Sequence, residues 1–179
     1  MRILTWLCIS IFFTASCNSQ TTAPSTSAVE TSKKENPLSV KIESFYKLFD
    51  VLPDKEMTCD DLMSKTSLGK DAVIEYISTD VRDWTEDEWS EISFNAVMAE
   101  KKDNYYLIVV EKEGPRNSQI YFNTYDQYGM RNSSILVCED GPNGDIKSRI
   151  GKDRSIFRMG DDGVATYKLN ARGVYVKGQ

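Results

Sequence analysis

ISFNAVMAEKKDNYYLIVVEKEGPRNSQIYFNTYDQYGMRNSSILVCED, residues 92–140, sets the architecture of the whole chain. Ile92, Phe94, Ala96 and Met98 alternate with Ser93, Asn95 and Val97, the period of two expected of a strand with one face buried. Tyr105 to Val110 is a continuous apolar run, and Ile120 to Tyr125 and Ile135 to Cys138 are further strands. Lys102-Asp103-Asn104, Gly114-Pro115 and Gln127-Tyr128-Gly129 separate them, each carrying residues that turns demand. Links this short join antiparallel neighbours, because a parallel pair needs a crossover of a dozen residues or more.

The same texture continues downstream. Ile146 to Ile150, Ser155 to Met159, Val164 to Leu169 and Val174 to Val176 read as shorter strands. Gly141-Pro142-Asn143-Gly144, Asp161-Asp162-Gly163 and Ala171-Arg172-Gly173 punctuate them. Upstream the period changes. Asn36-Pro37 has the form of a helix start, and Leu38, Ile42, Phe45, Phe49 and Leu52 form one helical stripe that Pro53 stops. A second helical stretch is expected at Thr58 to Ser64, with Asp60 and Asp61 in its first turn. Ala72 to Ile77 suits either a helix or a short strand. The fold class expected is α+β: N-terminal helices packed on an antiparallel β-meander of about seven to eight strands, in a single domain over 37–179.

The N-terminus reads as an address. Arg2 is a positive n-region, Leu4 to Phe13 are apolar, and the run falls short of the about 20 residues a membrane span needs. Thr14-Ala15-Ser16-Cys17 resembles the lipobox of bacterial lipoprotein precursors. The resemblance implies a signal peptide over 1–16, cleavage before Cys17 and acylation of Cys17. Thr14 stands where that pattern usually has leucine, which leaves ordinary signal-peptidase cleavage as the alternative. Residues 17–36 are mostly Ser, Thr, Gln and Ala, too polar to offset their ordering entropy, and read as a flexible tether. Asn18, rather than Asp, follows the cysteine. By the proteobacterial rule for such proteins, that favours a lipid anchor in the outer membrane.

The folded part is similar to uncharacterised envelope lipoproteins of the Bacteroidota. The shared features are a helix ending in Leu-Pro (Phe49-Asp50-Val51-Leu52-Pro53), the hairpin Thr124-Tyr125-Asp126-Gln127-Tyr128-Gly129, and the spacing of Tyr167 and Gly173. The likeness implies an envelope location and carries no known activity.

The chemistry is limited from the start. The 179 residues contain no histidine, which removes Ser-His-Asp and Cys-His catalysis and histidine-ligated metals. The formal charge is −5, and losing Arg2 with the signal makes the mature chain one unit more negative. No basic patch is available for nucleic acid. Cys59 and Cys138 belong to no Cys-x-x-Cys pair, so they are expected either as a disulfide in an exported protein or as two buried thiols. Asp140 to Asp145 lacks the alternating ligands of a calcium loop and suits a hairpin turn. Two Ser-x-x-Lys matches, at Ser44 and Ser67, lack the partner motifs of penicillin-binding enzymes and are set aside.

Two features point to a surface for a ligand. Asp80, Asp83, Glu86, Asp87, Glu88 and Glu91 surround Trp84 and Trp89, the makings of a carboxylate pair, a sugar platform or simply a solvated acidic helix. Tyr105, Tyr121 and Tyr125 sit on neighbouring strands, as an exposed aromatic platform or as cross-strand packing. The candidate ligand-binding residues are therefore Trp84, Trp89, Tyr105, Tyr121 and Tyr125, with no catalytic residues, no metal and no cofactor. The leading expectation is an envelope-anchored lipoprotein of non-enzymatic binding type, with the membrane and a protein or glycan as partners. The alternatives are a carboxylate-based glycan hydrolase and an immunity-like inhibitor of a basic toxin.

Overall fold

The computed structural model describes residues 37–63, 66–142 and 145–178; the stretches read above as a signal peptide and a tether, with Cys17 and Asn36, lie outside them. Among the described residues there are eleven strands in two sheets, almost all antiparallel. The long strands are β4 (Ser93–Lys101), β5 (Tyr105–Glu113), β6 (Ser118–Asp126) and β7 (Arg131–Asp140), which run as a meander. The two-residue strands β1 (Asp50–Val51) and β3 (Thr66–Ser67) both pair with β4, β1 in parallel. The second sheet has the order β11-β10-β9-β8-β2, from β2 (Met57–Thr58), β8 (Lys147–Ile150), β9 (Ile156–Gly160), β10 (Gly163–Leu169) and β11 (Tyr175–Lys177).

The chain is thus sheet-rich as expected, but the meander of seven or eight strands is corrected to two stacked sheets with more strands. Parity explains the stacking. On β5, Tyr106, Ile108 and Val110 pack with the helical segments, while Leu107 and Val109 pack against Met57, Ile150, Ile156 and Tyr175 of the second sheet. Both faces of β5 are covered, which is why its sequence is continuously apolar rather than alternating.

The block of N-terminal helices is also corrected, because the helical segments are short and interleaved with strands β1 to β3. They are α1 (Pro37–Tyr46), α2 (Lys70–Ala72) running into a wide turn at Val73–Ile77, and α3 (Glu86–Glu91). The stripe expected to continue through Leu52 breaks after Tyr46. Asp50–Val51 instead pairs with Met98–Ala99, and the Leu52 amide donates to the Ala99 carbonyl at 2.8 Å. The helix expected at Thr58 to Ser64 is a single tight turn, Cys59–Asp61, with the Thr58 amide donating to the Asp61 carboxylate at 2.9 Å. The residues from Ala72 to Ile77 resolve as helical. α3 starts on a capping box in which Thr85 and Glu88 satisfy each other's backbone amides.

Two of the turns share one design. At Asp126–Met130 the Asp126 carboxylate accepts from the amides of Tyr128 and Met130 at 2.8 and 2.9 Å, and Gly129 takes φ +84°. At Asn170–Val174 the Asn170 side chain accepts from Arg172 and Val174 at 2.9 and 3.0 Å, and Gly173 takes φ +72°. An Asx side chain opens each turn and a glycine three positions later takes the left-handed conformation. The Thr-Tyr-Asp hairpin and the Tyr167-to-Gly173 spacing noted in the sequence are these two loops.

Candidate functional site

The helical layer does not seal the first sheet completely. Between the Val73–Ile77 turn, the Asp80–Trp84 segment and strands β4 to β7 lies a cleft of about 280 Å³. Its walls include Ile77, Val81, Phe94 and Val110, and its polar groups are Ser78, Asp80, Lys112, Tyr121, Asn123, Arg131 and Ser134. Strand register brings these together. Val110 pairs with Tyr121, Asn123 pairs with Ser134, and Phe94 pairs with Lys112.

The roof is fixed from below. A helical segment ends with carbonyls that have no partner within the helix. Here the Tyr125 hydroxyl donates to the Tyr76 carbonyl at 2.6 Å, and the Arg131 guanidinium donates to the Ile77 carbonyl. Tyr125 and Arg131 are cross-strand neighbours, so one hairpin holds the end of the turn over the cleft. Phe45 stacks on Tyr76 at 4.3 Å from the other side.

At the floor, Asn123 is only 1% exposed, and its amide nitrogen has no hydrogen-bond partner among the described residues. A buried donor without an acceptor costs roughly 1–3 kcal/mol. Lys112 and Asp80 form no ion pair among the described residues. One side of the cleft is aromatic: Trp84 meets Trp89 edge-on at 5.4 Å and lies 6.4 Å from Phe94. The Tyr121 hydroxyl donates to Gln119 at 2.9 Å, and Gln119 donates on to Glu139 at 2.8 Å. Burial, and then the Glu139 charge, raise the Tyr121 phenol above its ordinary range, so it stays a neutral donor.

The residues singled out in the sequence are distributed unevenly around this cleft. Trp84 and Tyr121 line it. Trp89 is half-buried behind Trp84, against Phe94 and beneath the Lys70 ammonium. Tyr125 is 1% exposed and serves the roof rather than a surface. Tyr105 packs with the second-sheet cluster, against Gly173, so the three tyrosines do not share a face. Of the acidic run, only Asp80 lines the cleft, and Glu86, Asp87, Glu88 and Glu91 stand in solvent on α3. Cys17 lies outside the described residues. Asn123, Lys112 and Arg131 were missed by the sequence reading. Asn123 does carry one signal there, as a polar residue set inside the Ile120 to Tyr125 run.

Cys59 and Cys138 are joined as a disulfide, with Cα atoms 5.8 Å apart. A second hollow beside it is lined by Asp60, Glu111, Glu139, Asp140 and Asp145. Glu111 accepts from Ser118, and Glu139 from Gln119. Among the described residues no group of three acidic or cysteine side chains is arranged to hold a metal ion, and no helix is long and apolar enough to cross a membrane. No family model, curated protein or solved structure matches this chain.

Proposed function

We propose that this chain is an envelope lipoprotein, anchored through acylated Cys17, that acts by binding an envelope ligand in the Trp84–Asn123 cleft rather than by catalysis. The observation that carries the reading is the Asn123 amide, a buried donor left without a partner where an apolar side chain would cost nothing. Such a group calls for a partner from outside the chain, a water molecule or a bound ligand. Glycoside hydrolysis calls for two facing carboxyl groups. Among the described residues the cleft has one, Asp80, so binding is the better-supported use of its geometry.

The test uses the full chain carrying a C-terminal affinity tag, expressed in a native envelope and extracted with mild detergent. Metabolic labelling with a fatty acid is expected to mark the wild type and not Cys17→Ser. Material co-purifying with the wild type is expected to be lost from folded Asn123→Leu. Equal recovery with both proteins, or recovery of nothing, would overturn the reading.

A further inference from the structure

We infer that the cleft takes one carboxylated sugar residue, a hexuronate-type ring. This rests on the cleft being the binding site and adds the chemistry of what it binds.

Charge is the first argument. The chain as a whole is acidic at −5, yet the cleft offers Lys112 and Arg131 against Asp80 alone. Lys112 has no ion pair among the described residues, so its ammonium is available to an incoming anion.

The remaining groups call for more than an anion. Asn123 forms part of the floor, with its amide nitrogen buried and without a partner among the described residues. Asp80 has no partner among the described residues and can accept a hydrogen bond from a hydroxyl. Trp84 gives an aromatic wall with an apolar body, suited to the C–H face of a sugar ring. A simple carboxylate would use the cations and leave the aromatic wall and Asp80 idle. A neutral sugar would leave Lys112 unpaired. A uronate offers a carboxylate to Lys112, hydroxyls to Asp80 and a C–H face to Trp84. The volume of about 280 Å³ lies just below the roughly 300–1,000 Å³ typical of drug-sized sites, which suits a single ring and not a buried chain.

The experiment is a titration of the full mature chain, with Cys17→Ser to remove the anchor, followed by tryptophan fluorescence and by calorimetry. The probes are sodium D-glucuronate, D-glucose and sodium acetate. Glucuronate is expected to saturate, with glucose and acetate each at least tenfold weaker. Asn123→Leu and Lys112→Gln are each expected to weaken glucuronate at least tenfold. Asn123→Leu should melt no lower than the parent, because a buried unpaired amide is removed. If that variant fails to fold, Lys112→Gln alone carries the comparison.

Glucose binding as well as glucuronate would show that charge is not read. Acetate binding as well would show that the ring is not read. Either result, or no saturable glucuronate binding by folded protein, overturns the inference. If glucuronate fails while recovery of native material still depends on Asn123, the ligand class falls and the binding role stands. If both fail, the role falls too.

Discussion

Arg154 holds Glu100 through two hydrogen bonds, Nε to Oε2 at 2.8 Å and Nη2 to Oε1 at 3.3 Å, from a backbone position with φ +64°. Arg154 closes the β8–β9 hairpin, where its amide donates to the Gly151 carbonyl at 2.9 Å. It occupies the place that Gly129 and Gly173 take in the two Asx turns. A non-glycine residue there is strained. The strain is offset by what the side chain reaches: the Glu100 carboxylate on the first sheet and, at 3.0 Å, the Pro53 carbonyl. The pair is nearly dry, with side chains 4% and 16% exposed. It joins the two sheets at the end of β4.

Glu100→Gln is therefore expected to cost about 2 to 3 kcal/mol, since removing one member of a buried pair leaves the other charge unpaired. Arg154→Gly should cost less, because it loses the pair and relieves the positive φ together. Urea denaturation of both variants checks the order. A Glu100→Gln protein as stable as its parent would mean the pair contributes nothing.

Acid should weaken the same clamp. Burial raises the Glu100 carboxyl, but the hydrogen bonds from Arg154 and then Lys102 outweigh it and hold it below its ordinary value of 4.5. A carboxyl depressed in the folded state gives stability that is complete above the unfolded value and is lost as pH falls through the folded one. Unfolding free energy should thus drop as pH is lowered below about 4.5, and Glu100→Gln should have a shallower acid limb. Equal limbs in the two proteins would remove Glu100 from the account.

The long strands were legible because alternation and turn residues act locally, and β4 to β11 lie close to where Ile92 to Val176 suggested. The second layer was not. A continuous run such as Leu107 to Val110 is the same whether a helix or another sheet covers its far face. The helix overran for a similar reason: Phe49 and Leu52 keep helical spacing, but Asp50 and Val51 find strand partners distant in the chain. At the site, Trp84 and Tyr121 were legible as aromatics, while Lys112 and Arg131 carry no local signal that sets them apart from other charged residues. No local pattern reveals that Asn123 lacks a partner, because that depends on what packs around it.

The glycines in the turns separate backbone strain from packing. Gly163 and Gly173 both have positive φ, +100° and +72°. A Cβ on Gly163 meets nothing within 4 Å, whereas on Gly173 it would lie 2.6 Å from Cγ of the Tyr105 ring. Gly163→Ala is expected to cost about 1 kcal/mol from conformation alone. Gly173→Ala adds the clash and displacement of Tyr105, for about 3 kcal/mol in all. Thermal melts of the two variants give the comparison, and similar losses would mean that Tyr105 moves aside freely.

The disulfide is the second tie between the sheets. Cys59 follows β2 at the edge of the second sheet, and Cys138 lies on β7 of the first. The residues are 79 apart in sequence, so in the chain-entropy model the bond removes about 4.5 kcal/mol of unfolded-state freedom. Residues 17–179 carrying Cys17→Ser should show no free thiol before reduction and two after, by thiol titration in denaturant. Cys59→Ser with Cys138→Ser is then expected to lose about 4 kcal/mol, which for a domain of this size lowers the melting temperature by about 15 °C. Glu100 and Arg154 remain in place in that variant, so it should still fold at moderate temperature. Two free thiols before reduction would remove the covalent tie and leave the ion pair as the bridge between the layers.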